Sequence, residues 1–483
     1  MHRFSRYFRT KPVKDPLGEK LPHGLKRVLG VPDLVALGLG AIIGTGIFVL
    51  SGVAASRYAG PGVTISFIAA GITSALAALV YAELAAMFPA AGSAYTYTYA
   101  SLGEIVAWLI GWNLILEYTV AMAAVALGWS SYLLDLLGPL GVRLPGAITA
   151  SPLGGGVINL PPLIIIGLIA YLVAAGTKES SRVNKIVVAL KVAAILLFLA
   201  LGISRFDPAN WRPFLPFGPA GIVRGAGIIF FAYIGFDAVA TAAEEVRRPQ
   251  RDLPLGILGA LVISTLLYLG VAAVLTGMVK YTALDTPSPV ATALILRGFP
   301  WAAAVVSVGA LAGLTSVLLV NCFAQSRILF AMSRDGMLPE IFSRLHPRLQ
   351  TPVFGILTIA FVAAALSSLL PIHTIAELAN IGTLSAFATV SIGVVILRYT
   401  RPDLHRPFRV PLMPLLPLLS FAASVYLMAN LPAFTWYRFA AWVALGLVIY
   451  CLYGSRHSAA AEDRAALKGR LLPEPAAKRG PKS

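Results

Sequence analysis

"GLGAIIGTGIF", Gly38–Phe48, sets four glycines in an otherwise apolar run. As bare strings, Gly38-x-Gly40-xxx-Gly44 half resembles a dinucleotide-binding loop, and Gly40-xxx-Gly44 matches a membrane helix-dimer motif. A dinucleotide loop needs a preceding strand and a soluble βαβ unit, and the flanking sequence offers neither. Close helix packing stays open, because small residues let backbones approach. The third reading is a membrane helix broken at mid-depth, and the surrounding chain favours it.

Of 483 residues, 58% are hydrophobic and 12% are charged. A soluble domain carries roughly one quarter charged residues, so the composition indicates a polytopic membrane protein. Apolar runs of roughly 20 residues read as spanning helices. They fall near Pro32–Ser56, Val63–Phe88, Ile105–Leu137, Leu160–Ala175, Val183–Ile203, Ile222–Ala243, Leu253–Val279, Trp301–Arg327, Val353–Leu370, Ile375–Leu397, Met413–Ala429 and Ala433–Tyr453, twelve in all.

The chain opens on polar and basic residues with no signal-peptide pattern, which predicts a cytoplasmic amino terminus. With that end inside, the cytoplasmic segments hold 28 of the 38 Lys and Arg residues, against eight for the outer segments. This bias sets orientation and predicts a cell-membrane protein with both termini cytoplasmic. The net charge of +17 is therefore a topology signal with membrane lipid as its partner, and nucleic acid is not expected. The two cysteines, Cys322 and Cys451, lie in apolar segments and predict neither a disulfide nor a metal site.

Counted from Pro32 at 1.5 Å per residue, Gly40–Gly46 lie roughly 12 to 21 Å into a ~30 Å hydrocarbon core. Glycine costs about 1 kcal/mol per residue in a helix interior. Four of them weaken the helix where exposed backbone is tolerated only beside protein or a cavity. A second such place is "GIIFFAYIGFDAVATAAEEV", Gly227–Val246, where the chain entering near Pro219 reaches Phe231–Gly235 at the same depth. The two weak points open successive five-helix units, and an odd number of crossings inverts the second unit. The expected architecture is all-α: helices 1–5 (32–204) and 6–10 (219–399) as an inverted repeat, then helices 11 and 12 (413–453), between terminal segments 1–31 and 454–483. In such a fold, half-helix N-termini suit a carboxylate and unwound carbonyls suit an ammonium. A zwitterionic amino acid fits both.

The strings "GLGAIIGTGIFVLSG", "AGSAYTYTYASLGE", "WNLILEY", "FFAYIGFDAVATAAEEVRRPQRDLPLGI" and "QSRILFAMSRDGMLP" resemble the amino acid–polyamine–organocation superfamily, and within it bacterial members of the cationic amino acid transporter family. The resemblance covers roughly Pro32 to Tyr399. It implies a leucine-transporter-type fold in which the substrate carboxylate meets backbone N–H groups of Ile42, Gly44, Thr45 and Gly46, with the Thr45 hydroxyl as an extra donor. The substrate amine would meet carbonyls of Phe231, Ala232 and Ile234, and the Phe231 ring would gate the outer vestibule. Asn321 falls where some bacterial relatives carry a bulkier apolar residue such as methionine, so it implies room for a longer or more polar side chain.

Charges inside the membrane are functional hypotheses by default. Lys191 lies ~12 Å deep on helix 5, too far to snorkel easily. Its alternatives are a lasting pair with a carboxylate, or a proton site; burial makes a lysine readier to release its proton. The resemblance favours the second, because sodium-driven relatives hold a cation between helices 1 and 8 and a proton-coupled branch sends a helix 5 lysine there. The coupling ion would be a proton, with no other cofactor. Glu117 on helix 3 answers either a cationic substrate side chain or Lys191. Asp237 binds freed backbone or helps gate the inner half. Glu83, Glu244 and Glu245 are expected to pair with loop arginines such as Arg247.

The expectation is a secondary active importer of amino acids, with arginine, lysine or alanine as candidates, and not an enzyme, since no nucleophile–base pair lies at mid-depth. An exchanger and a membrane amino acid sensor are the alternatives.

Overall fold

The computed structural model describes residues 29–458 except 91, 139, 140, 143, 153, 154 and 371, without the side chains of 177–182, 244 and 372–377. Residues 1–28 and 459–483, which carry most of the two expected terminal segments, lie outside it, as does the side chain of Glu244. The described residues are helical, with no strand beyond the isolated bridges Leu29 to Val246 and Thr149 to Asn159.

Eight helical stretches are long and apolar enough to cross a membrane: Gly46–Met87, Glu104–Leu137, Val183–Ile203, Gly218–Thr241, Pro249–Met278, Pro300–Arg334, Leu378–Thr400 and Ala433–His457. Four shorter apolar helices, Val31–Ile42, Leu160–Ala175, Val353–Leu369 and Leu415–Ala429, complete the set. Gly46–Met87 joins the second half of the first expected span to the second span through the turn Gly60–Gly62. Large apolar side chains such as Ile164, Phe361 and Leu452 point outward. An exposed apolar belt of this kind is a surface for lipid.

Both expected breaks are present. The Val31–Ile42 helix stops at Ile43, whose backbone is extended (φ −79°, ψ 99°), and helical geometry resumes at Gly46. The Gly218–Ile229 helix passes through a tight turn, Phe230–Tyr233, to an extended Ile234 (φ −61°, ψ 136°) before Ala238–Thr241. Gly235 between them has φ +117°, a conformation open to glycine and costly for other residues. The end of the bundle nearest the chain start is fastened by backbone: Leu29 N–H donates to Glu245 O at 3.0 Å and Arg247 N–H to Leu29 O at 2.9 Å. Asp33 forms an ion pair with Lys185 at the same end.

Glu83 is fully buried, and its partners are not Arg247 but Arg398, at 2.7 Å from both carboxylate oxygens, and Arg406 at 3.5 Å. The Val410 N–H donates to it at 2.6 Å. Removing one partner of a buried ion pair costs about 3–5 kcal/mol, because the other charge is left unpaired. Glu83→Ala is therefore expected to lower the thermal unfolding temperature of the detergent-purified protein markedly. An unchanged midpoint would show that Arg398 and Arg406 find water instead.

Candidate functional site

Between the two breaks lies a narrow cavity lined by Ala41, Ile42, Gly44, Thr45, Gly46, Ala121, Val125, Phe231, Ile234, Val317 and Asn321. Every lining residue is buried. Its walls are mainly aliphatic. The residues with polar side chains among them are Thr45 and Asn321.

The first break presents amides where the helix resumes. The Gly44 carbonyl accepts from Ile47 N–H at 3.2 Å and Phe48 N–H at 3.3 Å, so Gly44–Gly46 form the start of a helix, whose leading N–H groups have no intrahelical acceptor. An anion is favoured there by the same dipole that favours acidic caps. Thr45 lines the same space, and its hydroxyl is buried without a hydrogen-bond partner among the described residues. Close contact between the breaks explains Gly46: a methyl there would overlap Ala232 Cα and Cβ.

The freed carbonyls are bound by side chains from three other helices. Lys191 is fully buried, and its Nζ donates to Gly40 O at 3.0 Å, Ile43 O at 2.9 Å and Ser316 Oγ at 2.9 Å. Ser316 Oγ in turn lies 2.9 Å from Gly40 O. The Tyr268 hydroxyl lies 2.7 Å from Ile42 O and 2.9 Å from Ala232 O, within donating distance of both breaks. Lys191 thus fastens the first break to the Pro300–Arg334 helix, and among the described residues no carboxylate forms an ion pair with it.

Of the residues expected in the site, Ile42, Gly44, Thr45, Gly46, Phe231, Ile234 and Asn321 line the cavity. Ala232 backs it, with its carbonyl held by Tyr268. Glu117 does not line it and does not reach Lys191; it lies beside Asp237 and Thr383. Asp237 accepts from the Tyr118 hydroxyl at 2.8 Å. Ser316, Tyr268 and the apolar wall of Ala121, Val125 and Val317 were not anticipated. The signal for Ser316 was its place beside Gly313 on the helix that the resemblance pairs with Lys191.

The sequence profile described as amino acid permease matches residues 29–450. The methylthioribose transporter of Bacillus subtilis (strain 168) is 45% identical over 456 residues, covering 94% of this chain and 99% of that protein. The branched-chain amino acid permease BcaP of the same organism is 46% identical over 462 residues, covering 93% and 98%. The vacuolar cationic amino acid transporter 4 of Arabidopsis thaliana is 40% identical over 390 residues, covering 79% and 65%. With breaks, cavity and near full-length similarity in agreement, the chain belongs to the amino acid permease family, membrane-embedded transporters rather than enzymes.

Proposed function

We propose that the protein is a secondary active importer of neutral aliphatic L-amino acids, coupled to protons through Lys191, working by alternating access in a twelve-helix, leucine-transporter-type inverted repeat with both termini cytoplasmic. The observation that carries the substrate class is the wall of the cavity: Ala121, Val125, Val317 and Ile234 offer apolar surface, and no carboxylate lines it to balance a cationic side chain. The zwitterionic end meets the Gly44–Gly46 amides and the Thr45 hydroxyl, and the Phe231 ring closes over it. The name of BcaP agrees with an aliphatic substrate. The polar Asn321 and the likeness to a cationic amino acid transporter support the second reading, a basic substrate.

Proton coupling is supported by the geometry of Lys191. A mobile proton on its amine changes the ammonium that binds Gly40 O and Ile43 O, and with it the shape of the first break. One proton moving inward gains about 2.3 kcal/mol per 100 mV, and each pH unit adds ~1.4 kcal/mol, enough by itself for ~10-fold accumulation.

The test is uptake of radiolabelled leucine, alanine and arginine into proteoliposomes, with an imposed pH gradient and separately an imposed potential. Gradient-driven leucine and alanine uptake is the expected result. Arginine as the sole substrate would replace the aliphatic reading with the cationic one. Flux that needs counter-substrate and ignores both gradients would make the protein an exchanger, and binding without flux would make it a sensor.

A further inference from the structure

Of the four glycines in Gly38–Phe48, Gly40 alone lies against a polar side chain. A methyl added to it would come 2.8 Å from Asn184 Oδ1, 2.9 Å from Asn184 Nδ2 and 3.3 Å from Asn184 Cγ, the three nearest atoms it would meet. The Asn184 carboxamide therefore covers the Gly40 backbone. Asn184 is buried on the Thr177–Ile203 helix, seven residues before Lys191, so the two side chains share one face of that helix two turns apart.

Both residues grip one turn of the Val31–Ile42 helix. Asn184 Nδ2 donates to Ala36 O at 3.4 Å, and Lys191 Nζ donates to Gly40 O at 3.0 Å. A helical carbonyl accepts from the N–H four residues on and keeps a second lone pair, so Ala36 O takes the amide without giving up its helix bond. The charged groups around this turn are engaged elsewhere. Asp33 pairs with Lys185, with Arg247 also within electrostatic reach of Asp33. The remaining partners of Lys191 are neutral, Ile43 O and Ser316 Oγ. Asn184 Oδ1 has no hydrogen-bond partner among the described residues. A buried unpaired acceptor is costly, and an apolar residue of similar size would fill the space without that cost, so packing alone does not account for an amide here.

We propose that Asn184 is a positioning residue for the Lys191 site: its carboxamide holds the Ala36–Gly40 turn in place, so that the Gly40 carbonyl stays within reach of the Lys191 ammonium. The proposal rests on the proton-coupled reading given above. The break leaves the Gly40 carbonyl without its helical donor, and only neighbouring side chains keep it aimed. Without the amide the turn loses its hold on the Thr177–Ile203 helix, and one of the two carbonyls that bind the ammonium weakens. The one hydrogen bond of Asn184 goes to Ala36, so Ile43 O and the Gly44–Gly46 amides do not depend on it directly. Loss of Asn184 therefore separates proton coupling from amino acid binding.

The test measures binding of leucine and arginine by substrate-protected thermal unfolding, and their uptake under an imposed pH gradient into proteoliposomes holding equal amounts of folded protein. In Asn184→Ala, binding is expected to stay within about 2-fold of wild type while gradient-driven uptake falls about 10-fold, the effect of weakening one hydrogen bond to a charged group. Adding Gly40→Ala to Asn184→Ala is expected to change uptake less than Gly40→Ala does in wild type, because the carboxamide that the methyl would strike is gone. If Asn184→Ala does not fold, Gly40→Ala alone is expected to show the same split, since its methyl displaces the carboxamide. An intact gradient response, equal losses of binding and uptake, or losses from the two substitutions that simply add would overturn the role of Asn184 and leave coupling through Lys191 standing. A wild type that ignores the pH gradient would overturn both.

Discussion

Lys191→Ala is expected to abolish gradient-driven uptake, at least 100-fold below wild type, while the protein remains folded and inserted. The ammonium donates to two carbonyls that the first break has freed, Gly40 O and Ile43 O, and to Ser316 Oγ. Hydrogen bonds to a charged group contribute about 1.5–3 kcal/mol each, and losing two corresponds to a factor of 100 or more. The Gly44–Gly46 amides sit one residue beyond Ile43, so the proposed carboxylate site loses its support together with the proposed proton site. Lys191→Arg gives little relief, because a guanidinium keeps its proton and cannot exchange it. Uptake with and without a pH gradient, alongside substrate-protected thermal unfolding, separates a failed proton site from a failed fold. An unaltered gradient response in Lys191→Ala would remove the lysine from proton coupling.

Gly46→Ala carries the second large effect. The added methyl would overlap the Cα and Cβ of Ala232, which are main chain and its first carbon rather than the movable end of a side chain. Overpacking of this kind costs about 1–3 kcal/mol, and here it drives apart the two breaks that line the cavity. Amino acid binding is expected to weaken by about 5- to 150-fold. Gly227→Ala provides the contrast: nothing lies within 4 Å of a methyl there, and the residue is inside the Gly218–Ile229 helix. Alanine gains about 1 kcal/mol over glycine in such a position, so that variant is expected to bind normally and unfold at an equal or higher temperature. Equal binding by Gly46→Ala and Gly227→Ala would show that the breaks do not need their close approach.

The breaks were legible because they rest on local chemistry. Glycines spaced through Gly38–Gly46, and Gly235 after an aromatic run, weaken a helix wherever it is placed, and depth follows from counting residues. Lys191 was legible for a similar reason, since a lysine far from either end of an apolar helix needs a polar partner. The partners themselves were not. Ser316 and Tyr268 are ordinary polar residues on long helices, and nothing local says that helix packing brings them to Gly40 and Ile42 across 276 and 226 residues. Glu83 shows the same limit: any inner-loop arginine could answer it, and packing selects Arg398 and Arg406 over Arg247. Glu117 shares a helix face with the lining residues Ala121 and Val125 but lies one turn, about 6 Å, before the first of them, and depth alone could not say where the cavity ends.

The central claim is that an amino acid sits between the two breaks. A structure of the purified protein solved with a saturating aliphatic amino acid tests it most directly. The account predicts ligand density in the cavity, with its carboxylate against the Gly44–Gly46 amides and Thr45 hydroxyl, its amine toward the carbonyls of the second break, and its side chain toward Val125, Val317 and Asn321. Ligand bound elsewhere, or an empty cavity under conditions where binding is saturated, would contradict it.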